Sequence, residues 1–221
     1  MRKKPNLAAR MEKCAHLLVK EPELFRGGWG EKFGYGELHV ELGCGKGRFT
    51  VETAKAEAAK ADTAKTETEN KTGVFIAALE KSADAMIIAL ERAASEELRN
   101  LRFIHSLADN LTDYFAPGEV SRIYLNFCDP WPSNRHAKRR LTNRRFLDLY
   151  MQALYPGGEI HFKTDNLPLF EFSLREFEFC GFSLIDVTRG LHKDGPAEIM
   201  TDYELKFHNQ GFPVYKCIVK K

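Results

Sequence analysis

The sequence predicts one α/β domain built on an open, mainly parallel β-sheet. From residue 37 onward, short runs rich in β-branched and aromatic residues alternate with longer segments of helical periodicity. Such alternation indicates β-α-β crossovers, which cover both faces of a parallel sheet with helices. The length of 221 residues suits one domain with a substantial core, and the hydrophobic fraction of 43% excludes a disordered chain.

Composition and periodicity place the individual elements along this domain. Three segments have helical periodicity, namely Ser82–Arg99, Arg145–Leu154 and Leu167–Phe179. No long helix separates the last two strands, so we expect an antiparallel pair at one edge of the sheet. The seven predicted strands are Glu37–Leu42, Val74–Leu79, Leu101–His105, Ser121–Cys128, Gly158–Thr164, Phe182–Thr188 and Pro213–Val219.

Two segments fall outside this alternation. Residues 1–36 are basic and then rich in glycine, and we interpret them as an N-terminal arm and an irregular loop before the domain of residues 37–221. An insert at about 55–72 consists almost wholly of Ala, Lys, Glu, Asp and Thr, without an apolar stripe. Because Ala, Lys and Glu favour helices, we expect an exposed extension of the helix after the first strand, without a functional role.

The cysteines and the hydropathy pattern bear on compartment and partners. The five cysteines are odd in number, scattered and free of any C-x-x-C, which argues against a disulfide framework or a zinc cluster, and no metal site is expected. No apolar stretch approaches the roughly 20 residues of a membrane span, and no cleavable leader follows the basic start. We therefore expect a cytoplasmic protein without a membrane partner.

A glycine-rich loop, ELGCGKGR (41–48), follows the first strand. A strand, close-spaced glycines and a helix form the place where open α/β sheets bind nucleotides. The spacing fits neither a P-loop nor the dinucleotide fingerprint, because Gly47 stands where the first needs Ser or Thr and Arg48 stands where the second needs Gly. Glu41, Gly43, Gly45 and Gly47 resemble motif I of S-adenosylmethionine-dependent methyltransferases; the alternative is an ordinary glycine-rich turn.

The ends of the next two strands carry further candidates. Glu80 follows the second strand, where this class of sheet places an acid on ribose hydroxyls; the alternative is a cap for the helix that begins at Ser82. Leu107 follows the third strand, and we expect it to pack on an adenine base. Asp109 or the backbone beside it would meet the adenine amino group, although Asp109 also suits the N-cap of a helix over Asn110–Phe115.

The fourth strand runs into the turn DPWP (129–132), followed by a basic stretch. Two prolines around a tryptophan make the turn stiff, and it lies at the carboxyl edge of the sheet, where ligands bind. Residues 134–145 carry six Arg or Lys, one His and no acid. Such a run is commonly a solvated helix, but its place beside a rigid aromatic and acidic turn favours contact with a phosphate backbone.

The net charge of +2 conceals this pattern. Residues 1–20 sum to +5 and residues 134–145 to +6, so the remaining 189 residues sum to −9. A basic arm and a basic stripe on an acidic body predict which face meets nucleic acid. Salt should weaken that contact.

Three segments resemble the signature of the bacterial tRNA (guanine-N7-)-methyltransferases: NFCDPWPSNRHAKRRL (126–141), IHFKTDN (160–166) and IMTDYE (199–204). The likeness runs from about Arg26 to the C-terminus, interrupted by the insert. It implies a Rossmann-like class I methyltransferase fold, S-adenosyl-L-methionine as cofactor and tRNA as partner. The sequence leaves open whether the protein is a monomer or a homodimer.

The resemblance also implies residue roles. The cofactor site would be lined by Glu41, Glu80, Leu107 and Asp129. The substrate would be contacted by Asp165, Thr201, Tyr203 and Glu204. The RNA would lie against Arg135, His136, Lys138, Arg139 and Arg140. One position departs from the family, which commonly has a substrate-contacting Lys after Pro-Trp-Pro where this chain has Ser133; Arg135 is a candidate to replace the lost charge.

The chemistry at guanine N7 needs alignment rather than proton removal, because N7 already offers an in-plane lone pair. We therefore predict no general base. Asp129 is the candidate catalytic residue, since a nearby carboxylate favours the positive charge that develops on the purine and can accept from its N1–H and amino group. Asp165 is the second orienting acid, and Thr201 and Glu204 would complete the pocket.

Two other functions stay open at this point. An amino-methyltransferase acting on adenine or cytosine would use an [Asp/Asn]-Pro-Pro-aromatic turn, and this chain has Trp131 where the second Pro belongs. A non-catalytic RNA-binding protein of the same fold would bind tRNA without binding the cofactor. His192 and His208 are isolated in the sequence and are interpreted as structural or surface residues.

Overall fold

The structure, a computed structural model, describes residues 4–63, 73–193, 198–208 and 210–221. Within them, the strands are β1 Glu37–Leu42, β2 Val74–Leu79, β3 Leu101–Ile104, β4 Val120–Asn126, β5 Leu154–Thr164, β6 Ser183–Arg189 and β7 Tyr215–Lys220. They form one sheet in the order β3-β2-β1-β4-β5-β7-β6. Strands β1 to β5 are parallel, and β7 lies antiparallel between β5 and β6. The predicted α/β sheet with an antiparallel edge is confirmed.

The helices of the described residues are α1 Leu7–Lys13, α2 Trp29–Phe33, α3 Arg48–Thr63, α4 Ala83–Ala94, α5 Leu111–Tyr114, α6 Arg144–Ala153, α7 Leu167–Phe179 and α8 Asp202–His208. Helix α7 has its predicted bounds, and the Asn166 side chain caps its start by accepting from the Leu169 N–H at 2.9 Å. Helix α4 ends before the predicted Arg99, because Glu97 adopts a left-handed φ of +51°.

Five strands differ from their predicted bounds, of which β3, β6 and β7 differ by one or two residues at their ends. Strand β4 ends at Asn126 rather than Cys128, because Phe127 has a left-handed φ of +50° that interrupts the extended chain. Strand β5 begins at Leu154, which pairs with Val120, and so includes residues expected to precede it. Strand β4 therefore ends directly before the turn that carries Asp129.

Apolar side chains fill both faces of the sheet. On one face, α3 and α4 pack through Val51, Met86 and Leu90. On the other face, α6 and α7 pack through residues that include Tyr150 and Phe170. With both faces covered, the carboxyl edge of the parallel strands is the open place for a site.

The N-terminal segment is packed into the domain. Helix α1 lies on α4, where Arg10 pairs with Glu91 at 2.7 Å. Trp29 is fully buried, and its indole N–H donates to the Tyr114 carbonyl at 2.9 Å. The prediction of an irregular loop is thus wrong for α2, because Trp29 anchors this segment in an aromatic cluster with Phe25, Phe33, Phe75 and Phe115.

The low-complexity insert is only partly described. Helix α3 extends to Thr63 and so includes the first part of the insert, as expected. Residues 64–72 lie outside the described residues, and the expectation for them stays a prediction. In the part of the chain that the structure describes, no helix is long and apolar enough to cross a membrane.

Candidate active site

A cavity of about 510 Å³ opens at the carboxyl ends of β1, β2, β3 and β4. This volume lies within the range of pockets that hold small molecules and cofactors. The cavity wall is formed by Gly43, Leu79, Glu80, Lys81, Ser106, Leu107, Ala108, Asp109, Phe127, Cys128, Asp129, Trp131, Arg139, Leu141, Arg145 and Phe146. Several residues predicted from the sequence therefore meet at one place.

The three glycines of the loop after β1 have two different roles. All have left-handed φ angles, +78° at Gly43, +58° at Gly45 and +74° at Gly47. A Cβ added at Gly43 or Gly45 would meet no atom within 4 Å, so the backbone there is open to a ligand. A Cβ at Gly47 would lie 2.6 Å from the Cβ of Ala89, so this glycine lets the loop pack on α4.

Glu80 joins the glycine loop to the start of α4. Its Oε2 accepts from the Gly45 N–H at 3.0 Å, and its Oε1 accepts from the Ser82 N–H at 2.7 Å. The side chain is buried and lines the cavity. Because a carboxylate oxygen has two lone pairs, both oxygens retain an acceptor site for a diol. The two predicted roles of Glu80, as a ribose acceptor and as a helix cap, are therefore geometrically compatible.

Glu41 supports the loop from within the protein. Its carboxylate accepts from the Asn126 side-chain amide at 3.1 Å and from the Thr50 hydroxyl. Burial raises the pKa of the Glu41 carboxyl, while these two hydrogen bonds oppose the rise. Among the described residues, Glu41 is not one of those that line the cavity. It ties α3 to the end of β4, and its contact with the cofactor stays a prediction.

The segment after β3 forms another wall of the cavity. Leu107 is 50% exposed there, so an apolar surface faces the open space. Asp109 forms an ion pair with Arg145 of α6. The prediction that Asp109 caps a helix is wrong, because residues 108–110 form a 3-10 helix and Asn110 occupies the N-cap position of α5.

The Asp129 turn stands at the mouth of the cavity. The Asp129 side chain is 68% exposed, and its Oδ2 lies 3.6 Å from Nζ of Lys81. Two residues before and two residues after Asp129 the backbone is strained, since Phe127 and Trp131 have φ angles of +50° and +42°. Such conformations persist only where surrounding contacts hold them, and they are common at functional sites.

The basic stretch contains exposed side chains and one buried arginine that bonds the protein backbone. Exposed side chains belong to Arg135, His136, Lys138 and Arg139. Of these, Arg139 lies over the Trp131 ring at 4.8 Å and lines the cavity. Arg140 is only 7% exposed and donates to backbone carbonyls of the Asp129 turn, which differs from the expectation that it faces RNA.

Ser133 precedes the 3-10 helix Asn134–Arg139. Its carbonyl accepts from the His136 N–H at 2.9 Å, while its side chain forms no capping hydrogen bond. The position therefore contributes backbone geometry. A substrate contact by its hydroxyl stays a prediction.

Asp165 and Tyr203 form a pair beside the Asp129 turn. The Tyr203 hydroxyl donates to Oδ2 of Asp165 at 3.0 Å, and its ring lies 5.3 Å from that of Phe127. Burial and the neighbouring carboxylate raise the pKa of Tyr203 to about 12. At neutral pH Tyr203 is thus a hydrogen-bond donor that fixes the orientation of the Asp165 carboxylate.

Thr201 and Glu204 form a capping box at the start of α8. The Thr201 hydroxyl accepts from the Glu204 N–H at 2.9 Å, and the Glu204 carboxylate accepts from the Thr201 N–H at 3.1 Å. The Thr-x-x-Glu spacing is the sequence signal for this motif. Glu204 is fully buried and also bonds Lys163 and His192.

In this structure Glu204 bonds only groups of the protein, and its predicted contact with the substrate stays a prediction. Its acceptor sites are taken by Lys163, His192 and the Thr201 backbone, so the side chain stabilises the segment that carries Tyr203. Lys163, for which the sequence predicts no role, is the main partner of Glu204. The interpretation of His192 as structural is confirmed, since it is only 9% exposed and lies 2.7 Å from Glu204.

Comparison with known proteins identifies the chain. The sequence profile of a family described as "Putative methyltransferase" matches residues 36–217. A tRNA (guanine-N(7)-)-methyltransferase of Geobacillus sp. (strain WCH70) is 41% identical over 222 aligned residues, covering 100% of this chain and 94% of the relative. The chain belongs to the tRNA (guanine-N(7)-)-methyltransferase family.

Solved structures similar to this methyltransferase share its fold. The 16S rRNA methyltransferase KamB matches with a TM-score of 0.63 and 16% identity, over 86% of this chain and 91% of KamB. A 16S rRNA (adenine(1408)-N(1))-methyltransferase from Catenulisporales acidiphilia matches with a TM-score of 0.57 and 12% identity, over 100% and 95% of the chains. At these identities the likeness shows the Rossmann-like class I methyltransferase fold alone.

The cavity of this methyltransferase fits its cofactor, S-adenosyl-L-methionine. Gly43 and Gly45 leave the loop backbone open, Glu80 offers buried acceptor sites, and Leu107 offers an apolar surface. These residues would hold the cofactor at the loop, the ribose and the adenine respectively. When bound, the cofactor supplies an electrophilic methyl group on a sulfonium ion.

Proposed function

We propose that this methyltransferase modifies N7 of a guanosine in the variable loop of tRNA. The observation that carries the proposal is the place of Asp129. Its carboxylate lies at the mouth of the cofactor cavity, on a turn that continues directly into the exposed cations of residues 135–139. A carboxylate for the base and cations for the phosphates are therefore adjacent.

The protein's task in this reaction is to hold the purine. Guanine N7 presents its lone pair in the plane of the ring, so no side chain has to remove a proton. Alignment of the reacting atoms alone can contribute several kcal/mol, roughly 7–11 in favourable cases. The stiff Asp129 turn and the Phe127–Tyr203 contact form a rigid frame suited to that task.

Asp129 and Asp165 have complementary roles in this frame. Positive charge develops on the purine as the methyl group arrives, and a fixed carboxylate at Asp129 stabilises that charge. Asp129 can also accept from the guanine N1–H and amino group. Asp165, oriented by Tyr203, is the second acceptor on the base.

The exposed cations beside the turn suit a phosphate backbone. Arg135, Lys138 and Arg139 carry fixed positive charge on one short segment, and His136 packs edge-on against the Trp131 ring at 5.8 Å. Contacts of this type bind RNA without reading its sequence and weaken with salt. We further propose that the enzyme acts in the cytoplasm, as a monomer or a homodimer, without a metal.

A labelling experiment tests the function. The enzyme is incubated with methyl-labelled S-adenosyl-L-methionine and a tRNA transcript, and the labelled nucleoside is identified. We expect N7-methylguanosine, and a matched transcript with the variable-loop guanosine replaced by adenosine should remain unlabelled. Equal labelling of both transcripts would contradict the site assignment.

The labelled product and a calorimetric titration of the cofactor separate the alternatives. Label on an exocyclic amine of adenine or cytosine would indicate an amino-methyltransferase. A chain that binds tRNA but shows no heat of binding for S-adenosyl-L-methionine in calorimetry would be an RNA-binding protein without catalysis.

A further inference from the structure

We infer that Arg140 is a positioning residue that holds the Asp129–Pro132 turn at the mouth of the cavity, and that it does not bind RNA. The inference rests on the proposed function for the reaction that the turn serves. Its structural part, the attachment of the turn to the body of the protein, stands independently of that reaction.

The Arg140 guanidinium bonds the protein through its Nε and Nη2. Its Nε donates to the Pro130 carbonyl at 3.1 Å and to the Trp131 carbonyl at 3.3 Å, and its Nη2 donates to the Trp131 carbonyl at 2.9 Å. The plane lies over the Phe172 ring of α7 at 4.4 Å. With 7% exposure, the side chain bridges the turn and α7 and offers little surface to a phosphate.

The turn needs such an external attachment. Pro130 and Pro132 have no N–H to donate, so the turn has few hydrogen-bond donors of its own. Trp131 has a φ of +42°, a left-handed conformation that is unfavourable for a non-glycine residue and persists only where surrounding contacts hold it. The planar guanidinium reaches two successive carbonyls at once, which the single ammonium group of lysine does poorly.

The neighbouring cations show the contrast. Arg139, one residue earlier, is exposed and lies over the Trp131 ring at 4.8 Å. Arg135 and Lys138 are exposed as well. Adjacent arginines of one motif therefore point in different directions, and only the exposed ones are available to the RNA backbone.

Kinetics of Arg140→Lys test the inference, because this variant keeps the charge and loses the fork. We expect kcat to fall at least tenfold, while KM for tRNA and the salt dependence of tRNA binding stay within twofold of wild type. Arg135→Ala should instead lower the slope of log affinity against log salt by about 0.7–0.9. Arg189→Lys is the matched control, since Arg189 also lies over a phenylalanine of α7, Phe170, and pairs with Glu171.

Tryptophan fluorescence tests the attachment without any substrate. The chain has two tryptophans, and Trp29 is fully buried, so acrylamide quenching reports mainly on Trp131. We expect a higher quenching constant in Arg140→Lys and an unchanged one in Arg189→Lys. Phe172→Leu removes the ring under the guanidinium but keeps every donor, and should give the same change in a milder form.

The outcomes separate cleanly. Wild-type quenching and wild-type kcat in Arg140→Lys would overturn the inference, as would weaker tRNA binding at unchanged kcat and unchanged quenching. If the wild-type enzyme did not methylate tRNA but quenching rose in Arg140→Lys, the attachment would stand and the proposed function would fail.

Discussion

The Nζ of Lys163 lies 3.0 Å from Oε2 of Glu204, and both side chains are almost completely excluded from solvent. Lys163 is the penultimate residue of β5, and Glu204 lies in the first turn of α8. The pair fastens the segment carrying Tyr203 to the sheet, and through Tyr203 it fixes the position of Asp165. The buried Lys163–Glu204 pair thus supports the predicted substrate residues Tyr203 and Asp165 from the interior of the protein.

Breaking this pair should destabilise the protein. Removing one partner leaves the other charge buried, so Glu204→Gln should lower the free energy of unfolding by about 3–5 kcal/mol in urea titrations. Glu171→Gln, which breaks the exposed pair with Arg189, should change it by about 1 kcal/mol or less. Wild-type stability together with a raised KM for tRNA in Glu204→Gln would instead support the substrate contact predicted from sequence.

Asp129→Ala should slow methyl transfer by roughly two to three orders of magnitude, while tRNA binding survives. Losing a fixed electrostatic stabiliser of the transition state costs roughly 10²–10³ in rate, and the exposed cations that hold the RNA are untouched. Single-turnover methylation and filter binding measure the two effects separately. Near-normal turnover by this variant would remove Asp129 from the mechanism.

Glu80→Gln should weaken cofactor binding. The amide retains one acceptor oxygen but loses the charge that strengthens hydrogen bonds to the ribose, so the calorimetric Kd for S-adenosyl-L-methionine should rise at least tenfold, equivalent to about 1.4 kcal/mol. Glu52→Gln, an exposed carboxylate on α3, is the control. An unchanged Kd in Glu80→Gln would show that the residue serves only the protein, by bonding the glycine loop and the start of α4.

The glycines of the loop should separate stability from binding. Gly47→Ala forces a Cβ to within 2.6 Å of Ala89, in addition to a strained φ, and should cost about 2–4 kcal/mol of folding stability. Gly43→Ala meets no atom within 4 Å and should cost only about 1–2 kcal/mol, from its φ. Thermal unfolding compares them, and equal losses would contradict the packing role of Gly47.

Acid should weaken the fold through His39. Burial, with the charge of Arg122, lowers the pKa of this imidazole to about 3, so the ring is neutral despite lying 3.3 Å from the Glu37 carboxylate. The unfolded chain takes up the proton near pH 6.5, and the folded protein does so only near pH 3. Stability from His39 is therefore complete above pH 6.5 and is lost as pH falls toward 3.

The measurement is the free energy of unfolding between pH 6 and pH 4. His39 contributes a slope of about 1.4 kcal/mol per pH unit in this window, because one extra proton binds to the unfolded state. His39→Gln should reduce the slope by that amount. An unaltered slope in the variant would mean that His39 is charged in the folded protein.

Local patterns predicted the framework well. Strands β1 and β2 have their predicted bounds, because β1 alternates polar residues with Leu38, Val40 and Leu42, and β2 is a continuous apolar run. Helix α7 follows a clear apolar stripe. The glycine loop, Glu80 and the Asp129 turn met at one edge because strand ends of a parallel sheet do so. These features depend on neighbours in sequence or on general topology.

Other roles depend on distant partners and escaped prediction. Arg139 and Arg140 are identical in type and adjacent, yet only the second turns toward Phe172, some 30 residues further along the chain. Glu204 looked like a pocket residue because the family motif contains it, while its main partner, Lys163, lies 41 residues away. Only the Thr-x-x-Glu capping pattern could have indicated a structural role.

The indole of Trp29 sets a lower limit on how far the chain can be shortened. The family profile begins at residue 36. A protein that started there would lack the Trp29 side chain of the aromatic cluster. The Glu119 carboxylate would also lose the hydrogen bonds that it accepts from the Gly27 and Trp29 N–H groups. Phe75 and Phe115 would then border an empty volume the size of an indole. The segment that the family profile matches is therefore shorter than the segment whose side chains form the core of this protein.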